Sequence, residues 1–169
     1  MPPRHKVSKK SCLLFYNELN FDNIKIKIPN NNKLKMKCPV CDELMIVLEL
    51  DEIEIDYCMT CEGIWLDGGE LELLLEEASE KEEVLSTFRT DESSDEKKIR
   101  CPICFKKMEK VSVGKENTIL LDRCKNHHGL WFNKGELYDV VKLGSLDEEN
   151  KILTLLREIF KHKLSGGSK

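Results

Sequence analysis

The sequence predicts a small, metal-stabilised α+β fold of two tandem units, each a β-hairpin between ligand-bearing turns followed by a helix, with an amphipathic helix at the C-terminal end. Three observations predict it. Eight soft or imidazole ligands fall into two matching sets of four: Cys38, Cys41, Cys58, Cys61 and Cys101, Cys104, Cys124, His127. A motif after the first set recurs after the second. Apolar residues alternate between the ligand pairs and take helical spacing beyond them.

Each set is two C-x-x-C-type knuckles, the last reading C-x-x-H, and two such pairs are how a chain builds a closed tetrahedral zinc site. Two Zn2+ ions are therefore expected. The first knuckle of each set carries proline, as Cys38-Pro39-Val40-Cys41 and Cys101-Pro102-Ile103-Cys104, which presets φ for a tight turn. The spacers of 16 residues (42–57) and 19 residues (105–123) each fit a β-hairpin whose ends return together. Disulfides are the competing reading of 8 cysteines, but seven of them stand at ligand positions, an odd number to pair, and Cys12 lies far off. Iron of the rubredoxin type is the competing metal, and a Cys₃His set argues against it. Laying Cys58 over Cys124 puts His127 on Cys61 and His128 on Glu62, so His127 is the expected ligand and His128 is expected to be exposed. His5 and His162 fall in charged terminal stretches and are read as solvated.

Taken in order, residues 1–20 are basic and irregular, with a short apolar cluster at Cys12 to Tyr16. Phe21 to Ile28 alternates as a half-buried strand, and Pro29 to Asn32 is a turn. The first hairpin uses Met45 to Leu50 and Ile53 to Tyr57, turning at Asp51-Glu52. Its helix is expected from about Gly68 to Ser79, with a continuation toward Phe88. The second hairpin uses Lys107 to Val113 and Thr118 to Asp122, turning near Gly114, and its helix ends near Gly144. A last helix is expected after Ser145, with Glu148 completing a capping box. Ile152, Leu153, Leu155, Leu156, Ile159 and Phe160 give that helix a broad apolar face that must be buried. The domain organisation is a basic extension with a strand (1–37), a first ribbon with its helix (38–90), an acidic linker (91–98), a second ribbon with its helix (99–144) and a C-terminal helix and tail (145–169).

The repeat extends past the ligands. Cys38 and Cys101 stand 63 apart, whereas Cys58 and Cys124, Trp65 and Trp131, and Glu70 and Glu136 stand 66 apart. The shared motif runs Gly63-Ile64-Trp65-Leu66-Asp67-Gly68-Gly69-Glu70-Leu71 and Gly129-Leu130-Trp131-Phe132-Asn133-Lys134-Gly135-Glu136-Leu137. Asp67 and Asn133 are expected as N-caps, with Glu70 and Glu136 as the capping-box partners three residues on. Trp65 and Trp131 could stack on bases, but a large apolar plug in a small domain is the preferred reading. Capping explains Asp67, Glu70 and Glu136 better than catalysis does.

With CPxC followed by CxxC-x-G-I-W-L-D-x-G-E-L, the chain resembles the TFIIB-type "transcription factor zinc-finger" family of zinc-ribbon domains, in two tandem copies over about 38–79 and 101–144. The departures are His127 in place of a cysteine and Phe132-Asn133 in place of Leu-Asp. The resemblance implies a role in transcription or nucleic-acid binding.

Composition bounds the function. Each unit is about 45 residues, too small to fold securely on apolar burial alone, so metal must supply much of the stability. No run of about 20 apolar residues could span a membrane. The charged start and the short apolar stretch after it do not make a secretory signal, and reduced thiolate ligands point to the cytoplasm. The net charge of −4 hides an asymmetry: residues 38–90 hold sixteen acids against two bases, and residues 97–169 hold sixteen bases against nine acids. With four protein ligands per metal and no spare nucleophile–base pair, the chain is read as a non-enzymatic, zinc-binding scaffold that docks on a protein or protein–nucleic-acid assembly. The alternative is direct nucleic-acid binding through the basic second ribbon, at Lys106, Lys107, Lys110, Lys115, Arg123 and Lys125.

Overall fold

Alternation of apolar and polar residues builds the sheet, and the repeated motif joins its halves. The computed structural model describes residues 24–27, 36–50, 52–116, 118–147 and 149–161. The expected Cys12 to Tyr16 cluster, the Pro29 to Asn32 turn, the tail from Leu164, and His5 and His162 lie outside these residues.

Four strands come from the first half: β1 (Ile24–Lys27), β2 (Ile46–Leu50), β3 (Ile53–Tyr57) and β4 (Ile64–Asp67). Four come from the second: β5 (Arg89–Thr90), β6 (Glu109–Val113), β7 (Ile119–Arg123) and β8 (Gly129–Phe132). They form one antiparallel sheet in the order β1-β2-β3-β4-β8-β7-β6-β5. That order maps onto itself when the halves are exchanged, and the exchange centre is the β4–β8 pair, where Trp65 stands directly opposite Trp131. Ile64 faces Phe132 and Leu66 faces Leu130 on either side of it, as an approximate twofold axis through the two tryptophans requires. The two ribbons are thus continuous through one sheet. The hairpins fall where the alternation places them, with Leu50 paired to Ile53 and Val113 to Ile119 at the two tips. The motif segments themselves are strands, which their capping residues had masked: Ile64 and Leu66 alternate with Trp65, and Leu130 and Phe132 with Trp131.

Period-two alternation sorts these side chains onto two faces. Ile64, Leu66 and Phe132 join the core that the helices cover, while Trp65 and Trp131 join a second cluster with the cysteines. The helices are α1 (Glu70–Leu74), α2 (Lys81–Ser86), α3 (Glu136–Leu143) and α4 (Lys151–Lys161). From α4, Leu153, Leu155, Leu156 and Ile159 are buried, so the broad apolar face is spent within this chain, partly against α3.

Three helix expectations need correction. The first helix stops at Leu74, far short of Ser79, and Lys81–Ser86 is a separate helix. Glu72, Glu76 and Glu77 crowd its end with like charge, and no base stands in its last turn to meet the helix dipole. The backbone finishes in 3₁₀-type bonds, Glu76 N–H to the Leu73 carbonyl and Ala78 N–H to the Leu75 carbonyl. That turn brings Ala78 onto its repeat counterpart Gly144, and the Glu80 N–H donates to the Gly144 carbonyl at 3.1 Å. The last helix begins at Lys151 rather than after Ser145, because Asn150 caps it by accepting from the Ile152 N–H at 2.8 Å. Ser145 instead takes a left-handed conformation, φ 54°. Finally, Asp67 and Asn133 do not cap α1 and α3: the N-cap positions are Gly69 and Gly135, left-handed at φ 97° and 85°.

The motif glycines make the central pairing possible. A Cβ at Gly63 would lie 2.1 Å from the Trp131 indole, and one at Gly129 would lie 2.0 Å from the Leu66 carbonyl oxygen and 2.8 Å from the Trp65 indole. Each glycine therefore makes room for the opposite half. Gly129→Ala should cost about 3 kcal/mol or more through overpacking against backbone. Gly69→Ala meets nothing within 4 Å and should cost only about 1–2 kcal/mol for its left-handed conformation. Urea denaturation of the zinc-loaded variants measures both, and equal losses would refute the packing role of Gly129.

Candidate metal centres

Each first knuckle is a turn closed by backbone bonds. The Asp42 N–H donates to the Cys38 carbonyl at 3.0 Å and the Cys38 N–H to the Glu43 carbonyl at 2.8 Å. The second half repeats this, with Phe105 N–H to the Cys101 carbonyl at 2.9 Å and Cys101 N–H to the Lys106 carbonyl at 2.9 Å. Within the turns, N–H groups point at sulfur: Val40 to Cys38 Sγ and Ile103 to Cys101 Sγ, each at 3.4 Å. Such donors stabilise thiolate.

Two clusters result. The ligand atoms of Cys38, Cys41, Cys58 and Cys61 all lie within 4.8 Å of one another, and so do those of Cys101, Cys104, Cys124 and His128. Cys38 and Cys61 sulfurs are 3.4 Å apart, as are those of Cys41 and Cys58, and Cys104 and Cys124 are 3.6 Å apart. A disulfide would need about 2.05 Å. Four sulfurs about 2.3 Å from one zinc lie about 3.8 Å apart, so the donor sets fit a tetrahedral zinc ion with little adjustment. The crowded sulfurs also perturb one another's ionisation. The hydrogen bond between Cys38 and Cys58 holds Cys58 down at about 2 and pushes Cys38 far up. In the second set the Lys106 backbone N–H lowers Cys104 to about 6, while burial pushes Cys101 up to about 12. A dication among them would let all the sulfurs ionise. The chain thus holds two groups that could each bind a zinc ion.

His128 joins the second cluster, not His127, which corrects the expectation from the repeat. His128 Nδ1 lies 3.5 Å from Cys124 Sγ and 3.8 Å from Cys101 Sγ, while His127 is exposed. In the first half the turn bond runs from the Glu62 N–H to the Cys58 carbonyl, and the left-handed residue is Glu62, φ 61°. In the second half it runs from the His127 N–H to the Cys124 carbonyl, one residue shorter, and His127 is itself left-handed, φ 58°. The tighter turn moves the ligand to the following residue. Counting from Cys124 or back from Gly129 gives His127 either way, so offsets alone could not find His128.

The tryptophans tie the clusters to the sheet. Trp65 and Trp131 are 0% exposed and pack among Cys38, Cys58, Cys101 and Cys124, in agreement with the plug reading. Trp65 Nε1–H donates to Asp67 Oδ1 at 2.7 Å, and the Asp67 N–H donates to Glu70 Oε2 at 2.7 Å. Trp131 Nε1–H to Asn133 Oδ1 (3.1 Å) and Asn133 N–H to Glu136 Oε2 (2.6 Å) repeat the chain. The back half of the capping box is present, but the Asp67 and Asn133 side chains serve the indoles instead of the helix. Burial pushes the Glu70 carboxyl up to about 7 and raises Glu136 as well.

Residues 37–77 match the family model of the transcription factor zinc-finger. That zinc-finger match spans the first cluster, β2 to β4 and α1. Comparison with the curated proteins found no match, and comparison with the solved structures found none either.

The six basic residues expected to meet nucleic acid divide into two groups. Lys106, Lys107 and Lys125 are exposed. Lys110 is buried, with its Nζ 3.0 Å from Asp122 and 2.7 Å from Glu96. Arg123 is paired with Glu109 at 2.8 Å, and Lys115 with Glu83. Across the axis, Lys134 Nζ lies 2.6 Å from the buried Glu62 carboxylate. No helix among the described residues is long and apolar enough to cross a membrane.

His128→Ala should lower the zinc content from two ions per chain to one, whereas His127→Ala should keep both. Metal analysis of the purified variants decides this, and zinc loss in the His127 variant alone would restore the offset reading.

Proposed function

We propose that the chain is a non-catalytic scaffold of two tandem zinc-ribbons, docking on a protein or protein–nucleic-acid assembly with a transcription-related task. The observation that carries this reading is the donor count. Each cluster gathers four protein ligands, whereas a catalytic zinc keeps a position open for water or substrate. Zinc then acts through stability, fixing short turns that two small units could not hold by apolar burial. The zinc-finger match over 37–77 supports the transcription-related part. The second half is read as a further copy of the same domain on its repeated motif and local twofold. Thiolate ligands suit a reducing compartment, which favours the cytoplasm.

Direct nucleic-acid binding has a narrower base. Of the six basic residues proposed for it, Lys106, Lys107 and Lys125 are exposed, while Lys110, Lys115 and Arg123 are engaged with carboxylates. The acidic first half, with sixteen acids against two bases over residues 38–90, would repel phosphate.

Affinity capture of the tagged protein from its native lysate, with and without nuclease, separates the two. Docking on protein predicts partners that survive nuclease and are lost when zinc is chelated. Partners that vanish with nuclease would overturn docking in favour of nucleic acid.

A further inference from the structure

The twofold brings the two Cys-Pro-x-Cys knuckles side by side, and a cleft of about 490 Å³ opens between them. Both halves build it from equivalent positions: Pro39 and Val40 on one wall, Pro102 and Ile103 on the other. Five large apolar side chains are exposed among the described residues, and four of them, Val40, Leu44, Ile103 and Phe105, belong to these turns. Their exposures run from 41% to 68%.

Phe105 is the anomaly. It is 68% exposed, and its φ is 59°. The left-handed region is unfavourable for a bulky side chain, and strain of this kind persists where surrounding structure imposes it, often at sites of function. The equivalent residue in the first half is Asp42, φ 63°, a residue type that tolerates the conformation. Arg100 pins the Phe105 turn by donating from Nη1 to the Phe105 carbonyl at 2.8 Å. An aromatic held out at the rim of an apolar cleft, at a conformational cost, has the form of a binding anchor.

The charge of the rim selects the occupant. Arg100 lines the cleft, and Lys106 and Lys107 follow Phe105 on the exposed surface. The one acid among the lining residues, Asp42, is already paired with Lys37 at 2.9 Å. The geometry points to the inter-knuckle cleft as the docking site for a short segment of a partner protein that carries apolar side chains flanked by Asp or Glu. A single strand of nucleic acid is the less suitable occupant. The walls are aliphatic and prolyl with one aromatic, where successive bases need several stacking platforms. This inference rests on the docking reading above and gives it a surface and a ligand chemistry.

The test selects a naive library of linear peptides on the full-length, zinc-loaded protein. Phe105→Asp copies the residue of the first half at a position where it is conformationally easier, so the variant should fold. The double variant Lys106→Glu/Lys107→Glu changes exposed charge only. Enriched peptides should combine apolar residues with Asp or Glu, and should bind each variant about tenfold or more weakly. They should not be displaced by oligothymidylate. Acidic, apolar peptides that bind the variants as well as the parent would overturn the cleft. So would enrichment without acidic residues, the absence of any enrichment, or Phe105-dependent binding of oligothymidylate. Nuclease-treated capture from lysate reads the docking reading separately: partners retained there by Phe105→Asp would remove the cleft and leave docking standing.

Discussion

The structure depends on the antiparallel contact between β4 and β8, where two buried tryptophans meet across a local twofold. Everything else is arranged around that contact. Alternation along the two strands sends Ile64, Leu66 and Phe132 toward the helices and Trp65 and Trp131 toward the cysteines. The indoles then form the common floor of both metal clusters. A unit of about 45 residues buries too little surface to stand alone. Here each half completes the other's sheet, supplies the tryptophan that the other's glycine admits, and shares one helical core. A zinc ion in each cluster would complete the arrangement by holding the turns that frame the tryptophans.

The repeat is close enough to build a twofold and different enough to give two unlike surfaces. Glu62 is buried against Lys134 in one half, while His127 is exposed in the other. Val47 and Asp56 pair across the first hairpin, where the second hairpin carries the buried Lys110 and Asp122. The first half is strongly acidic and the second basic. The differences thus reach buried positions, Glu62, Lys110 and Asp122, as well as the surface charge.

Much of this was legible in the sequence for definite physical reasons. The seven ligand cysteines announced themselves because a tetrahedral ion demands paired donors on tight turns. The hairpins followed from period-two alternation, and α3 ends at Gly144 as its pattern required. What escaped was non-local. The four-residue strands β4 and β8 were hidden under capping signals, since Asp67 and Asn133 look like N-caps until the indole N–H groups that occupy them are seen. The shortened α1 depends on contact between Ala78 and Gly144, which stand far apart in the chain. The place of His128 in the second cluster depends on where one turn closes, a one-residue difference that ligand counting cannot register. The joining of the two ribbons into one sheet left its trace only in Gly63 and Gly129, whose need for space becomes evident once the opposite tryptophan is in place.

On this architecture the two metal clusters and the tryptophan pair form one cooperative unit. Amide hydrogen exchange on zinc-supplemented Cys41→Ser addresses it directly, because the substitution touches the first cluster alone. The expected result is lost protection in β2 to β4 and also in β7 and β8, although the second ligand set is intact. Parental protection throughout β6 to β8, with only the first half exchanging freely, would contradict the claim and make the ribbons independent.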